Sequence, residues 1–230
     1  MESDSSTRLN KYLAHTTGIS RREADELIGQ KKVRIDGIVV PLGAQFDPTK
    51  QSVTINGHPV SAKRPYTYVL MHKPVGYVCS RKQQGYTLTI YSILPEKYHD
   101  LKPVGRLDKD SSGLLILTDD GDFAHQMTHP KFHKAKTYEI RLDKPLEPLH
   151  RQMISDHGVI LEDGPSKLQL ERMKDGDNTQ WIVNMHEGRN RQIRRTFLSL
   201  GYEVIRLHRT QFGTYSLGDL APSKLRVISA

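Results

Sequence analysis

Residues 105–121 read Gly-Arg-Leu-Asp-Lys-Asp-Ser-Ser-Gly-Leu-Leu-Ile-Leu-Thr-Asp-Asp-Gly. The four apolar residues Leu114 to Leu117 follow a polar loop and predict a buried strand. Thr118 to Gly121 has the composition of a turn, and a short helix is expected to begin near Asp122. Asp108 therefore lies on a loop beside a buried strand, where a rigid scaffold can hold a carboxylate in a cleft. A carboxylate in that place can be a general base, a nucleophile or a metal ligand, or it can simply form a turn.

The whole string is more specific than any residue in it. It resembles the signature of the RsuA/RluB/RluF-type pseudouridine synthases, which convert uridine to pseudouridine in ribosomal RNA. The shared pattern is Gly-Arg-Leu-Asp, one variable residue, an acid, two small hydroxyl residues, then Gly-Leu and a hydrophobic run. The chain matches it from Gly105 to Thr118 without a gap. The resemblance implies that Asp108 is the catalytic residue and that Arg106 binds RNA near the target nucleotide.

The composition of the 230-residue chain allows one large domain, or a large and a small one. The formal net charge of +8 makes a polyanion a reasonable partner, although a solvated basic surface accounts for the same charge. The single cysteine, Cys79, rules out an internal disulfide and fits a reducing compartment. No apolar run approaches the roughly 20 residues that span a bilayer, and Met1 to Arg8 lacks the apolar core of a signal peptide. We expect a soluble, cytoplasmic protein.

Local patterns in the first sixty residues predict two short helices followed by a small sheet. The apolar residues of Arg8 to His15 recur at helical spacing. Ser20 and Glu23 have the spacing of a capping box at the start of a second helix. Val33 to Ile35 alternates as a strand does, and Asn56 to Gly57 is a strong hairpin signal.

These elements resemble the S4 domain, a small RNA-binding module named for a ribosomal protein, which commonly precedes the catalytic domain in the same enzymes. The similar strings are Arg8-Leu-Asn-Lys-Tyr-Leu, Ser20-Arg-Arg-Glu-Ala and Val33-Arg-Ile-Asp-Gly37. The resemblance implies that basic residues on the polar positions contact phosphates, although they also fit a solvated face. These residues are Lys11, Arg21, Arg22, Lys31, Lys32 and Arg34. We predict an S4-like domain over residues 1–62 and a catalytic domain over 63–230, with Ser61 to Pro65 as the linker.

A second motif, Lys136 to Leu142, alternates polar and apolar residues and predicts a strand. Tyr138 lies on the apolar side, where an aromatic residue ordinarily packs in a core. The Lys-Thr-Tyr string is also similar to the family's second motif, whose tyrosine lies in the active site against the target base. The resemblance implies that Tyr138 stacks on a flipped uracil, because an aromatic face can hold a base in any orientation.

A third motif runs from Glu187 through Gly-Arg-Asn-Arg-Gln-Ile-Arg-Arg into a predicted helix. Arg191, Arg194 and Arg195 share one face at helical spacing. If unpaired they would favour a nearby anion, and an exposed basic helix is the alternative. The string is similar to the family's third motif, in which the basic residue after Gln-Ile pairs with the catalytic Asp. Arg194 is therefore expected to keep Asp108 ionised. We expect the other three, Arg189, Arg191 and Arg195, to contact RNA.

A loop motif, Lys73-Pro-Val-Gly76, also resembles a family element, in which Asn often stands where this chain has His72. We assign no catalytic role to this difference. Metal sites are not favoured either. His125, His129 and His133 are spaced by four residues, but Pro130 interrupts the helix between the last two. The acids near Asp119 have the chemistry of a turn and a helix cap rather than of a magnesium site.

Together the motifs predict an α+β protein, in which a small S4-like module precedes a larger pseudouridine-synthase domain with a mostly antiparallel sheet and a central cleft. The expected activity is isomerisation of a uridine in ribosomal RNA, free or in a pre-ribosomal particle, by a monomer without cofactor or metal. Two other functions are open: an RNA-binding or ribosome-assembly protein without catalysis, and a metal-dependent nuclease. The target subunit is open too, since Lys-Thr-Tyr looks closer to the small-subunit enzyme and the arginine-rich string to the large-subunit enzymes.

Overall fold

A computed structural model describes residues 6–60, 65–82 and 85–229 of the chain. The chain divides into two compact units, Met1–Tyr66 and Thr67–Ala230. The predicted boundary after residue 62, and most of the predicted linker, fall on residues 61–64, which lie outside the described residues. Within the described residues, no helix is long and apolar enough to cross a membrane.

The described residues of the first unit form two helices and six short strands. In chain order they are β1 (Thr7–Arg8), α1 (Leu9–Thr17), α2 (Arg21–Gly29), β2 (Val33–Ile35), β3 (Ile38–Val39), β4 (Gln45–Phe46), β5 (Val53–Ile55) and β6 (His58–Pro59). An antiparallel sheet has the order β3-β2-β5-β6, and β1 pairs separately with β4. The predicted helices, strand and hairpin are all present.

Local chemistry explains where these elements begin and end. Ser20 Oγ accepts a hydrogen bond from the backbone N–H of Glu23, and the Glu23 carboxylate accepts one from Ser20 N–H, so the capping box is complete. Helix α1 ends at Gly18, whose φ of 82° suits the left-handed cap. Asn56 and Gly57 both have positive φ, as the tight turn between β5 and β6 requires.

In the second unit, the described residues include one nine-stranded sheet. Its strands are β7 (Tyr68–Lys73), β8 (Lys102–Pro103), β9 (Ser112–Thr118), β10 (Lys136–Leu142), β13 (Gln169–Arg172), β14 (Gln180–Met185), β15 (Val204–Phe212), β16 (Tyr215–Ser216) and β17 (Leu225–Val227). The order is β13-β14-β10-β15-β9-β7-β17, with β8 on β9 and β16 on β15. A separate hairpin joins β11 (Val159–Leu161) and β12 (Gly164–Ser166).

Helices cover parts of this sheet. They are α3 (Gly121–Thr128), α4 (Pro148–Gln152) and α5 (Gln192–Leu198), with single turns at Ile90–Ser92, Glu96–Tyr98 and Pro130–Phe132 and a π-helical turn at Met153–His157. The predicted helix near Asp122 is α3, and Asp120 caps it by accepting from the N–H groups of Asp122 and Phe123.

Strand β9 lies in the middle of the sheet and is buried on both sides. Leu115 and Leu117 pack in one apolar cluster, whereas Leu114 and Ile116 pack in another. This explains why residues 114–117 are apolar without alternation. Every strand pair of the described residues is antiparallel except β9 with β15, so the mostly antiparallel α+β fold is confirmed.

Candidate active site

A cavity of about 440 Å³ opens in the second unit, where three segments meet. The loop before β9 supplies Arg106 and Asp108, strands β10 and β15 supply Tyr138 and other residues, and the segment before α5 supplies Arg191. The three sequence motifs, far apart in the chain, therefore meet around one cavity. Arg189 lines it as well, whereas Arg194 and Arg195 are not among its lining residues.

The Asp108 side chain is partly exposed, with 35% of its surface accessible. Its carboxylate oxygen lies 3.6 Å from Nη1 of Arg191. Its backbone carbonyl accepts a hydrogen bond from the N–H of Ser111, which closes the turn that precedes β9. The carboxylate is therefore held at the cavity beside a guanidinium, while its own backbone is fixed in a tight turn.

The buried side chain of Lys73 holds this turn in place, a role that the sequence patterns did not indicate. It is completely buried at the end of β7, and Nζ donates to the carbonyls of Pro74, Asp108 and Ser111 at 3.0, 2.9 and 2.7 Å. Burial lowers the pKa of Lys73 to about 8. Gly76 adds a backbone hydrogen bond to Lys109. A lysine that ends an apolar strand immediately before proline was the signal available in the sequence.

The pairing expected between Arg194 and Asp108 requires correction. Arg194 lies 3.3 Å from the carboxylate of Asp110, and it donates to the backbone carbonyls of Asp110 and Val204. Arg191 is the arginine beside Asp108, and it also forms a two-nitrogen contact with Asp110. Arg191 takes the place expected of Arg194 because α5 begins only at Gln192. Arg191 therefore precedes the helix, in a left-handed conformation, and its side chain reaches the loop that carries Asp108.

Asp110 is the second acid of the first motif, and it ties the loop to α5. Burial would raise the pKa of its carboxyl, but the hydrogen bond from Arg191 and the charge of Arg194 lower it overall. Asp110 is thereby kept ionised as the anchor of both arginines.

The arginines of the third motif are each paired with a carboxylate, so they are not the unpaired cations that would favour a nearby anion. Arg195 makes a two-nitrogen pair with Asp163, at 3.0 and 2.7 Å. Arg189 contacts the same carboxylate and donates to the carbonyls of Gly164 and Pro165. Both side chains therefore attach the β11–β12 hairpin to the third motif, and their contact with RNA stays a prediction.

Tyr138 is both a core residue and a cavity residue. It is 8% exposed and belongs to the main apolar cluster of the unit, yet its side chain lines the cavity. The two interpretations left open by the sequence are thus compatible, because packing behind the ring would hold its accessible edge in place.

The basic residues of the first unit lie on its surface. Arg21, Arg22, Lys31, Lys32 and Arg34 are exposed, and Lys11 is partly buried. Arg21 donates to the side chain of Asn10, and Arg34 to the carbonyl of Gly37. Their contact with RNA stays a prediction as well.

The three spaced histidines do not form one cluster. The rings of His125 and His129 are 4.7 Å apart, whereas the backbone of His133 turns left-handed after Pro130. In the part of the chain that the structure describes, no group of three His, Cys, Asp or Glu side chains is arranged to hold a metal ion.

Comparison with known families agrees with this geometry. Residues 67–199 match the model of the RNA pseudouridylate synthase family, and residues 7–43 match the S4 domain. The first match spans all three motifs around the cavity, and the second spans both helices of the first unit.

Several named relatives align with nearly the whole chain. The ribosomal large subunit pseudouridine synthase B of Bacillus subtilis is 36% identical over 96% of this chain and 92% of its own length. The ribosomal small subunit pseudouridine synthase A of Pasteurella multocida is also 36% identical, over 97% of this chain and 96% of its own. A crystal structure of a pseudouridylate synthase aligns with a TM-score of 0.67 at 30% identity, over 96% of both chains. The chain therefore belongs to the RNA pseudouridine synthases, a family of isomerases, and to its branch with an N-terminal S4 domain.

Proposed function

We propose that this enzyme isomerises a uridine of ribosomal RNA, with Asp108 as the catalytic carboxylate. The observation that carries the proposal is the cavity itself, which joins Asp108, Tyr138, Arg106 and Arg191. Its volume of about 440 Å³ lies within the range of small-ligand pockets, about 300–1,000 Å³. The related enzymes from Bacillus subtilis and Pasteurella multocida bear names that place their action on the large and the small ribosomal subunit respectively.

The reaction breaks the N1–C1′ bond of uridine, turns the uracil and joins its C5 to C1′, with loss of the C5 proton and gain of a proton at N1. No electron or group is gained overall, so the chemistry itself requires no cofactor. A base stacked in an RNA helix cannot present these atoms, and the target nucleotide must be flipped into the cavity. Tyr138 then stacks on the uracil, and Arg106, on the exposed loop, contacts the RNA beside it.

Asp108 has three chemical roles open to it: attack on C1′ of the sugar, attack on the base, or removal of a ribose proton. All three require an ionised carboxylate held in a fixed direction. Arg191 supplies the positive charge next to Asp108. Arg194 does not contact the Asp108 carboxylate but pairs with Asp110, which holds Arg191 in turn. The S4 module contributes sequence-independent affinity through its exposed basic residues.

A tritium-release assay tests the proposal. RNA transcripts of both ribosomal subunits are labelled at C5 of uridine, and release is followed with the purified full chain. We expect release from one transcript, and its site is then mapped as pseudouridine missing from the ribosomal RNA of a deletion strain. No release from either transcript or from pre-ribosomal particles would contradict the assignment to ribosomal RNA.

A further inference from the structure

A buried arginine lies in the cavity wall beside Tyr138. Arg209 is 2% exposed and is one of the cavity-lining residues. Strands β10 and β15 pair with Tyr138 directly opposite Arg209. The register of the two strands shifts between Thr137 and Tyr138, so this pair lies at a β-bulge or irregularity, but Tyr138 and Arg209 both line the cavity. A base stacked on Tyr138 therefore comes within reach of the Arg209 guanidinium.

One nitrogen of this guanidinium has no hydrogen-bond partner. Nε donates to the carbonyl of Leu114 at 2.8 Å, and the guanidinium carbon lies 4.8 Å from the centre of the Phe212 ring. Nη2 is buried, and no atom of residues 6–60, 65–82 or 85–229 accepts a hydrogen bond from it. A buried donor on a charged group is costly to leave without an acceptor. The unsatisfied Nη2 of Arg209 in the cavity wall therefore suggests that a bound ligand supplies the acceptor.

Among the described residues, Arg209 also has no ion-pair partner. Lys136 lies nearby, with Nζ 5.4 Å from the centre of the same Phe212 ring, and burial together with the charge of Arg209 lowers its pKa, while the charge of Glu187 opposes this shift. Its ammonium donates to the backbone carbonyl of Glu187. Within the described residues, neither cation forms an ion pair with a carboxylate. Two cations near one aromatic ring favour a negatively charged group within reach of both.

The proposed reaction generates such a group on the uracil. If the N1–C1′ bond breaks heterolytically, the electron pair stays on N1 and spreads to O2 and O4. If Asp108 instead attacks the base, the added electron pair also accumulates on a carbonyl oxygen. Negative charge develops on uracil oxygen in either case, so the same donor serves whichever of these roles Asp108 takes.

We propose that Arg209, assisted by Lys136, donates to a carbonyl oxygen of the flipped uracil and stabilises the negative charge that develops there. This inference rests on the proposed function. It makes Arg209 a catalytic residue of the electrostatic type, since a fixed buried donor needs no reorganisation when the charge appears. The burial of Arg209 argues against a backbone phosphate, which would meet the exposed arginines first.

The test compares Arg209→Gln with the wild type in single-turnover tritium release. We expect the rate at saturating RNA to fall about 10²–10³-fold, as for loss of one oxyanion donor, with the RNA Kd within about twofold of wild type. Arg206→Gln is the matched control, because Arg206 is on the same strand but is 52% exposed and lies outside the cavity lining. It should retain the wild-type rate.

A phosphate contact would produce the opposite pattern. The Kd of Arg209→Gln would rise, the log–log salt slope would fall by about one, and the saturating rate would hardly change. That outcome would overturn the inference while leaving the proposed function intact. Absence of release by the wild type would instead overturn the proposed function, and this inference with it.

A change of leaving group, from uracil to 5-fluorouracil, distinguishes stabilisation of the uracil anion from a merely structural role of Arg209. Fluorine at C5 withdraws electrons and stabilises the uracil anion without help from the protein. The deficit of Arg209→Gln should therefore shrink about tenfold or more on RNA with 5-fluorouridine at the target site, measured as loss of that nucleoside after digestion. An equal deficit on both substrates would contradict the inference. If Arg209→Gln does not fold, Lys136→Gln serves instead, and it should show a smaller loss with the same dependence on fluorine.

Discussion

Nζ of Lys73 lies 2.9 Å from the backbone carbonyl oxygen of Asp108 and donates a hydrogen bond to it. The same ammonium also holds the carbonyl of Ser111, so a single buried side chain fixes both ends of the turn that carries the proposed catalytic carboxylate. The precision of the site thus depends on a residue that need not touch the substrate. Such support matters because a displacement of about 1 Å at a reacting group can cost about 10²-fold in rate.

Replacing Lys73 by methionine should therefore lower the saturating rate of tritium release by about 10²-fold or more. RNA affinity should change little, because Lys73 is completely buried. The measurement is single-turnover release together with an RNA-binding titration. A Lys73→Met enzyme with the wild-type rate would show that the turn holds its shape without the ammonium.

Lys73 also predicts a pH dependence of stability. Its pKa in the folded chain, about 8, is below the ordinary value of 10.5. Between these two pH values the unfolded chain binds more protons, so the free energy of unfolding contributed by this group rises with pH. Relative to Lys73→Met, the wild type should gain roughly 1–2 kcal/mol between pH 7.5 and 9.5. The free energy of unfolding of both proteins is measured by urea unfolding, followed by fluorescence of the single, buried Trp181. A difference between wild type and Lys73→Met that does not vary with pH would contradict the account.

Gly113 lies in the only parallel strand pair of the described residues and should not tolerate a side chain. Its φ is +109°, and a Cβ placed there would lie 2.2 Å from the carbonyl oxygen of Arg209. We expect Gly113→Ala to lower the free energy of unfolding by about 3 kcal/mol or more. Gly121→Ala, at the start of α3 with no atom within 4 Å of its Cβ, is the control and should change it by less than about 0.5 kcal/mol. Equal effects of the two substitutions in urea unfolding would refute this prediction.

Two arginines of the third motif, Arg191 and Arg194, should differ in their effects on activity and stability. Arg191 is 44% exposed and contacts Asp108 and Asp110 only through side chains. Arg191→Gln should lower the saturating rate about tenfold to 10²-fold with stability nearly unchanged. Arg194→Gln should also destabilise the fold, by about 1–3 kcal/mol, because two backbone carbonyls are left without their donor. The pair is compared by tritium release and urea unfolding, and a fully active Arg191→Gln would return the orienting role to Arg194.

The exposed cations of the S4 module should contribute to RNA affinity and to its salt dependence. Removing one cation that neutralises a phosphate should reduce the log–log salt slope by about one. The double variant Arg22→Gln with Lys32→Gln should therefore show a slope smaller by about two and a higher Kd at low salt. Lys50→Gln, an exposed lysine of the same unit whose ammonium faces Asp47, should leave both quantities close to wild type. Equal effects per charge at all three positions would indicate a general charge effect rather than specific phosphate binding by the S4 module.

Local sequence patterns predicted most of the local structure. The capping box at Ser20, the turn at Asn56 and the buried strand from Leu114 each depend on residues within a few positions, and all are present. The motif strings also identified Asp108 and Tyr138 as residues of one cavity. What these strings encode is the short-range geometry of each segment.

Most contacts between distant segments were not predicted from the sequence, and the one that was predicted, between Arg194 and Asp108, was wrong. The parallel pairing of β9 with β15 joins residues nearly a hundred positions apart, and no local periodicity indicates it. The partner of Arg194 depended on whether α5 begins before or after Arg191, a difference of a single residue. Lys73 donates hydrogen bonds to three carbonyls from two segments, and these segments come together only in the folded chain.

The most direct test of the central claim is tritium release by Asp108→Asn on C5-labelled ribosomal RNA, with Asp110→Asn as the matched control. The amide keeps the shape of the side chain and removes its charge. We predict no detectable release by Asp108→Asn, an RNA Kd within about twofold of wild type and unchanged Trp181 fluorescence, whereas Asp110→Asn should be slowed but active. Release by Asp108→Asn at a rate near that of the wild type would contradict the claim that this carboxylate performs the chemistry.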